Sequence, residues 1–165
     1  MSKYRGRSLR LVVDASVARA AGDATASPDA TSRAWAATLG AILRICHRVS
    51  VCDVLVAEWD RHSGSLFRRW RKAMLSKDKV IHVSSEKLVD EALRAAITSL
   101  TDAGSRKAIE KDIHLIELAS WGDGWVFTAD GKIRAHVAAH DALSRWKKHV
   151  RWGEPGAANV PPRGD

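Results

Sequence analysis

The sequence contains few of the residues that mark specialised protein classes. Among 165 residues it has two cysteines, four prolines and eleven glycines. These low counts exclude a disulfide-rich scaffold, a collagen-like repeat and a low-complexity linker. Cys46 and Cys52 do not form a CxxC pair, so we expect two reduced thiols in a cytoplasmic protein. Near the start the longest apolar run is residues 11–13, so we predict neither a signal peptide nor a membrane span.

Three motifs of common enzyme classes are also absent. The chain has no GxxxxGK[ST], no GxGxxG and no GxSxG. Their absence argues against a P-loop nucleotide hydrolase, a dinucleotide enzyme and an α/β-hydrolase.

Positive charge is abundant. The chain has 27 Lys and Arg against 19 Asp and Glu, a formal net charge of +8. Such a balance favours a polyanionic partner, most commonly nucleic acid. The composition is 45% hydrophobic and 28% charged, which is typical of one globular domain that buries roughly 70% of the unfolded chain's surface.

Hydrophobic patterning predicts strands that alternate with helices. Strands are expected at residues 9–13, 49–52, 80–83, 125–128 and 150–152. Helices are expected at residues 30–47, 66–75, 86–100, 105–121 and 131–146, with one more that carries Glu58 and is N-capped by Asp53. A loop over residues 22–29 contains Ser27-Pro28, a good helix start. This alternation predicts an α/β fold, a five-stranded parallel sheet covered by helices on both faces. Residues 1–152 form the domain, and residues 153–165 are expected to be a flexible tail.

Four acidic residues occupy positions where a lone carboxylate is costly. Asp14 and Asp130 follow apolar strands, Asp112 lies on the apolar stripe of a helix, and Glu58 lies beside Trp59. Buried carboxylates need hydrogen bonds, cations or a metal. One divalent cation would account for all four, because Mg²⁺ and similar hard cations prefer oxygen ligands.

Each acid also has a structural interpretation. Asp14 or Asp130 could cap a helix. Glu58 could pair with Arg61 or Arg44, and Asp112 with a lysine. Taken singly, these interpretations are favoured, but together they require four separate explanations where one metal site suffices.

The motifs around these acids resemble the PIN domain family. The matching segments are Val12-Val13-Asp14-Ala15-Ser16, Leu55-Val56-Ala57-Glu58-Trp59, the stretch of residues 111–119 that contains Asp112, and Phe127-Thr128-Ala129-Asp130. They occur in the family's order and extend over nearly the whole chain.

The resemblance implies a PIN-like three-layer sandwich with the four acids at one end of the sheet. It implies a Mg²⁺- or Mn²⁺-dependent endoribonuclease in which Asp14, Glu58, Asp112 and Asp130 are catalytic and bind metal. Ser16 and Thr128 would hold a carboxylate or a phosphate through their hydroxyl groups, although backbone capping explains them equally well. Small bacterial relatives are VapC-type toxins, which implies a cognate antitoxin and a homodimer or higher oligomer.

A basic stretch interleaves four cations with one aromatic residue. It consists of Arg68, Arg69, Trp70, Arg71 and Lys72. We interpret it as an RNA contact in which the cations neutralise phosphates and Trp70 stacks on a base. The alternative is a solvated helix face with Trp70 in the core.

The histidines carry weaker signals. His136 and His140 share a helical face but have no third ligand and no HExxH context, so we expect surface histidines. His114 lies two residues after Asp112, which would point it away from the acids on a helix.

Two other functions compete with the nuclease. A catalytically silent PIN-like module would bind nucleic acid or protein, but such a module gains nothing from four mutually repelling acids. A phosphoacceptor receiver domain shares the α/β plan, yet it needs adjacent acids after the first strand, and Asp14 stands alone.

Overall fold

Five short segments, three of them mostly apolar, form the strands of one sheet. The computed structural model describes residues 6–22 and 29–164. The strands are β1 (Arg10–Val13), β2 (Arg48–Val51), β3 (Val80–His82), β4 (Trp125–Phe127) and β5 (Arg151–Gly153). All neighbours pair in parallel, in the order β3-β2-β1-β4-β5. The predicted five-stranded parallel sheet is therefore confirmed.

Helices cover both faces of this sheet. They are α1 (Ala15–Ala20), α2 (Ala30–Ile45), α3 (Asp53–His62), α4 (Ser65–Ser76), α5 (Ser85–Leu88), α6 (Glu91–Thr98), α7 (Ala103–Trp121), α8 (Gly131–Ala139) and α9 (Ser144–His149), with short 3₁₀ helices at Asp141–Leu143 and Ala157–Asn159. Right-handed crossovers place α1–α4 on one face and α5–α9 on the other, and the helix contacts agree with this division. Within the described part of the chain, none of the helices combines the length and hydrophobicity needed to cross a bilayer.

The central strand shows why a parallel sheet of this kind is so apolar. Leu11, Val12 and Val13 in β1 are completely buried, because helices cover the strand from both sides. At the far edge, a Cβ atom on Gly153 would overlap the ring of Phe127, so β5 requires glycine at that position.

The structure corrects three of the predicted elements. The single helix over residues 86–100 is divided, because Asp90 accepts a hydrogen bond from the Leu93 amide and starts α6. The helix over residues 131–146 ends at Ala139, where His140 is extended. Asp53 is the first residue of α3 and not its N-cap, which is Cys52.

The start of α2 differs from the predicted one. The predicted helix start at Ser27-Pro28, and most of the predicted loop over residues 22–29, lie outside the described residues. Among those described, Asp29 is the N-cap of α2, and its carboxylate accepts a 2.7 Å hydrogen bond from the Ser32 amide. Asp is a favoured residue for this role.

The C-terminal segment, predicted to be a flexible tail, contacts the domain at several points. The Gly156 amide donates to the Thr38 hydroxyl of α2 at 2.8 Å. Val160 is buried, and Gly164 pairs with Arg7 in an antiparallel bridge. The tail therefore has specific partners on α2 and near the N-terminal end of β1.

His47 links β1, β2 and this tail. Its ring is fully buried, its Nδ1 accepts from the Leu9 amide at 3.1 Å, and its Nε2 lies 2.7 Å from the Pro161 carbonyl oxygen. An acceptor at Nδ1 and a donor at Nε2 require the neutral ring. Burial lowers the pKa of His47 below its ordinary value of 6.5, and the charges of Arg163 and Lys79 lower it further, against the opposing effects of the Pro161 hydrogen bond and the Asp123 charge.

We expect the stability of the protein to fall as the pH drops below about 6.5, the ordinary pKa of histidine. Below that pH the unfolded chain binds a proton at His47 that the folded protein does not, which favours unfolding. Thermal unfolding at pH 7.5 and 5.5 measures this change in stability. These two pH values lie about one unit above and below the ordinary pKa of histidine. A His47→Gln variant should be less stable at the upper pH and show a shallower pH dependence. Equal slopes for the two proteins would contradict the assignment.

Candidate functional site

The chain reverses its direction of travel across the sheet at β1. From β1 the chain proceeds to β2 and β3 on one side, and then returns to β4 and β5 on the other. In open α/β sheets, ligands bind outside the carboxyl ends of the strands at such a switch point. Asp14 directly follows β1, and Thr128 directly follows β4, so both lie at this point.

Asp14 is held by hydroxyl groups from both sides of the switch point. Its Oδ2 accepts hydrogen bonds from Ser16 Oγ at 2.5 Å and from Thr128 Oγ1 at 2.9 Å. The Ala129 and Asp130 amides donate in turn to the Ser16 and Thr128 hydroxyls. Both expected roles, contact with a carboxylate and backbone capping, are therefore present at Ser16 and Thr128. The Asp14 side chain makes no helix-cap hydrogen bond, so capping does not explain this acid.

Asp130 caps a helix, the structural role considered for both Asp14 and Asp130. It is exposed, and its Oδ1 accepts a 3.0 Å hydrogen bond from the Lys132 amide at the start of α8. This is a regular N-cap contact. The second carboxylate oxygen has no such role and stays available to a ligand.

Asp112 is a partly buried carboxylate in the middle of α7. Burial raises its pKa, and the negative charges of Asp14 and Glu58 raise it further against the opposing effect of Lys111 and His114. The lysine partner considered for Asp112 does not form an ion pair with it within residues 6–22 and 29–164. Asp112 is thus crowded by like charge without direct compensation.

Glu58 has a partner that the sequence did not indicate. His114 Nε2 lies 3.3 Å from Glu58 Oε2. His114 is itself buried, so the expectation that it points away from the acids is wrong. The nearby His114 ring is the main cause that lowers the pKa of Glu58, and the charges of Arg61 and Lys111 lower it further against the opposing effect of burial.

All four predicted acids line one pocket of about 220 Å³. They come from different places in the chain: the end of β1, α3, α7 and the segment after β4. Four cationic or titratable groups line the same pocket, namely Arg19, Arg61, His62 and Lys111. The pocket is therefore lined by four acids together with basic side chains that can bind a polyanion.

These basic residues were not among the site residues predicted from the sequence. Arg61 and His62 lie three and four residues after Glu58, which places them on the same face of α3. Lys111 is adjacent to Asp112 in the sequence. The helical spacing on α3 was available as a signal, whereas Arg19 reaches the pocket only because α1 follows directly on Asp14.

The acids do not form a complete metal cage. Among the described residues, no three His, Cys, Asp or Glu side chains are grouped closely enough to hold an ion together. Mg²⁺ nevertheless fits the donor chemistry, because it retains several waters and uses one or two carboxylates together with substrate phosphates. Asp14 and Asp112, whose charges interact, are such a pair.

The basic stretch on α4 divides into exposed and buried residues. Arg68, Arg69 and Lys72 are exposed, and Arg71 contacts Asp60 and the face of Trp59. Trp70 is 6% exposed and donates a 2.8 Å hydrogen bond to the Leu39 carbonyl. The predicted stacking of Trp70 on a base is wrong, because its ring packs against Phe67 and Trp59 in the core.

His136 and His140 lie outside the acidic pocket. His136 Nδ1 is 3.0 Å from the Ser105 hydroxyl, and His140 Nε2 is buried without a hydrogen-bond partner in the described part of the chain. These are partly buried histidines and not the surface residues expected from the sequence.

Comparisons with known proteins give no family assignment. No protein-family model, no curated protein and no solved structure matches this chain. The resemblance to PIN domains therefore depends on the four motifs alone.

Proposed function

We propose that this protein is a Mg²⁺- or Mn²⁺-dependent nuclease that hydrolyses phosphodiester bonds of RNA, with its active site in the acidic pocket. The observation that carries the proposal is the convergence of Asp14, Glu58, Asp112 and Asp130 in one pocket at the switch point of the sheet. Only the fold brings together four acids that the sequence separates by up to 116 positions (130 − 14).

Asp14 and Asp112 are the first choices as metal ligands. Asp14 is pre-oriented because both hydroxyl contacts use Oδ2, which leaves Oδ1 outside that network. Asp112 bears an unfavourable carboxylate charge that a cation would relieve. When bound, the cation would neutralise charge on the scissile phosphate and favour ionisation of a water molecule.

Glu58 and Asp130 have supporting roles in this proposal. Glu58 stays ionised, since its pKa is lowered, and can orient a nucleophilic water by accepting its hydrogen bond. The contact between His114 Nε2 and Glu58 Oε2 restricts the orientation of this carboxylate. Asp130 uses one oxygen to cap α8 and can offer the other to the pocket.

The basic side chains at the acidic pocket would allow it to bind a polyanion. Arg19, Arg61 and Lys111 at the pocket can bind phosphates on either side of the scissile bond. α4 directly follows α3 in the chain, and its exposed Arg68, Arg69 and Lys72 add further positive charge. A single-stranded RNA is the substrate we propose; an antitoxin partner and a homodimer remain predictions from the family resemblance.

A cleavage assay on a panel of single-stranded RNAs tests the proposal. We expect cleavage with Mn²⁺, none in excess EDTA, and at least about a hundredfold less with Asp14→Asn. Glu110→Gln is the matched control, because Glu110 is an exposed acid on α7 outside the acidic pocket. Full activity of the Asp14→Asn protein, or activity that persists in EDTA, would contradict the proposed site.

A second candidate is a nucleic-acid-binding module without catalytic activity. The absence of a three-ligand metal group among the described residues favours it. This module would bind RNA in a salt-dependent way in EDTA, and Mn²⁺ would neither cleave the RNA nor raise the Tm of the protein. Metal-dependent cleavage distinguishes the two functions.

A further inference from the structure

A second pocket, of about 380 Å³, lies between α9, the C-terminal end of α7 and Asp90. Its lining residues are Asp90, Ser120, Arg145, Trp146, Lys148 and His149. It shares no lining residue with the acidic pocket. Its volume lies in the range of sites for small molecules.

This pocket lies at the amino ends of the strands, and the four acids lie at the carboxyl ends. Ser120 and His149 come shortly before β4 and β5, so they lie at the amino ends of those strands, whereas the acids cluster at the carboxyl ends. Ser120 also lies eight residues after Asp112 on α7, which is about 12 Å along the helix axis. The two pockets are therefore separate.

The charge of the second pocket is mainly positive. Arg145, Lys148 and His149 are exposed, and among the described residues none of them is within ion-pair distance of a carboxylate. Asp90 also lines the pocket, but both of its oxygens are occupied. Its Oδ1 accepts from the Leu93 amide at 3.0 Å, and its Oδ2 accepts from Trp146 Nε1 at 2.9 Å.

Ser120 supplies a second, independent observation. Its hydroxyl oxygen is buried and has no hydrogen-bond partner among the described residues. A buried hydroxyl without a partner is unfavourable for folding. Ser120 lines the pocket, so a change of its side-chain rotamer would bring the hydroxyl to a ligand oxygen there and provide that partner.

We propose that this pocket binds the phosphate group of a small phosphorylated ligand of about mononucleotide size. Arg145 and Lys148 would neutralise the phosphate, and the Ser120 hydroxyl would donate a hydrogen bond to one of its oxygens. A nucleic acid backbone carries the same phosphate chemistry and is the second source that the experiment must distinguish. The proposal is independent of the nuclease activity, because none of these residues belongs to the acidic pocket.

Calorimetric titration of the full chain in EDTA, with inorganic phosphate and AMP as probes, tests this site. We expect saturable binding of both probes, weakened about tenfold or more by the double variant Arg145→Ala/Lys148→Ala, because each charge-assisted contact contributes on this scale. The matched control, Arg44→Ala/Lys77→Ala, removes two exposed cations from α2 and the end of α4, on the other face of the sheet, and should leave the affinity unchanged.

Ser120→Ala separates a ligand role from a structural one. Loss of an unpartnered buried hydroxyl should leave the Tm of the ligand-free protein unchanged or higher, while the affinity for AMP falls several-fold. A lower Tm without a change in affinity would assign Ser120 a structural role and overturn this part of the proposal.

An RNA oligonucleotide without terminal phosphates identifies the source of the phosphate. If it does not displace AMP, the site takes a small phosphorylated molecule, as proposed. If it displaces AMP from the wild type and fails to bind the Arg145→Ala/Lys148→Ala protein, the phosphate comes from a nucleic acid backbone. No binding of phosphate or AMP, or binding unaffected by the double variant, would overturn the site.

Discussion

Replacing Asp112 by Asn is expected to lower Mn²⁺-dependent RNA cleavage by at least about a hundredfold while making the metal-free protein more stable. The two effects have one origin, the carboxylate charge at a partly buried position beside Asp14 and Glu58. Its raised pKa means that the folded protein holds the ionised form less readily than the unfolded chain does. At neutral pH this difference lowers the free energy of unfolding, and a neutral amide of the same shape removes the penalty.

The pH dependence of this stabilisation follows from the direction of the pKa shift. The advantage of Asp112→Asn should be complete above the raised pKa, shrink as the pH falls, and disappear below the ordinary value of 3.8, where both states are protonated. Mn²⁺ should raise the Tm of the wild type but not that of the variant, because a ligand that binds only the folded state stabilises it.

Thermal unfolding with and without Mn²⁺, combined with the cleavage assay, measures these effects. Glu110→Gln, an exposed acid on the same helix, is the control and should change neither quantity. A less stable Asp112→Asn protein would show that the carboxylate has a favourable structural partner. Retained cleavage would remove Asp112 from the proposed active site.

Replacing Trp59 by Ala is expected to lower the free energy of unfolding by about 3–5 kcal/mol, as is usual for a large buried aromatic side chain. Trp59 is fully buried and packs edge-on against Phe67, with ring centroids 5.1 Å apart. Its Nε1 donates a 2.9 Å hydrogen bond to the Val13 carbonyl. This bond joins α3 to the end of β1, one residue before Asp14.

Trp59→Phe separates packing from hydrogen bonding. It keeps most of the ring volume but leaves the Val13 carbonyl without a donor, so we expect a loss of about 1–3 kcal/mol. Because Val13 precedes Asp14, we also expect the variant to cleave RNA more slowly than the wild type. Urea unfolding measures the first effect and the cleavage assay the second.

Trp70→Phe is the matched control for this experiment. Trp70 belongs to the same aromatic cluster, and its Nε1 donates to the Leu39 carbonyl of α2, away from β1. The Trp70→Phe variant should lose about as much stability as Trp59→Phe but should cleave RNA faster than Trp59→Phe does. Equal loss of cleavage in both variants would mean that general destabilisation, and not the Val13 contact, disturbs Asp14.

Local sequence patterns were sufficient to predict the sheet and most helices. β1, β3 and β4 are short, mostly apolar runs, and α2 and α7 have helical apolar spacing, so these elements depend on neighbouring residues. The breaks at Asp90 and His140 could not be predicted in this way. Asp90 ends the preceding segment because its carboxylate caps α6 and receives Trp146 Nε1, a partner 56 residues later.

By itself, the sequence determined the α/β class, the five strands and the placement of Asp14 and Thr128 at strand ends, because hydrophobic periodicity and strand length are local properties. Only the tertiary structure decided which polar and aromatic side chains are buried together. Helix packing placed Trp70 in the core and His114 in contact with Glu58. It also brought Arg19, Arg61 and Lys111 to the pocket that the acids line. The physical reason is that burial and pKa shifts depend on side chains from other elements, whose distances are set by how helices pack on the sheet.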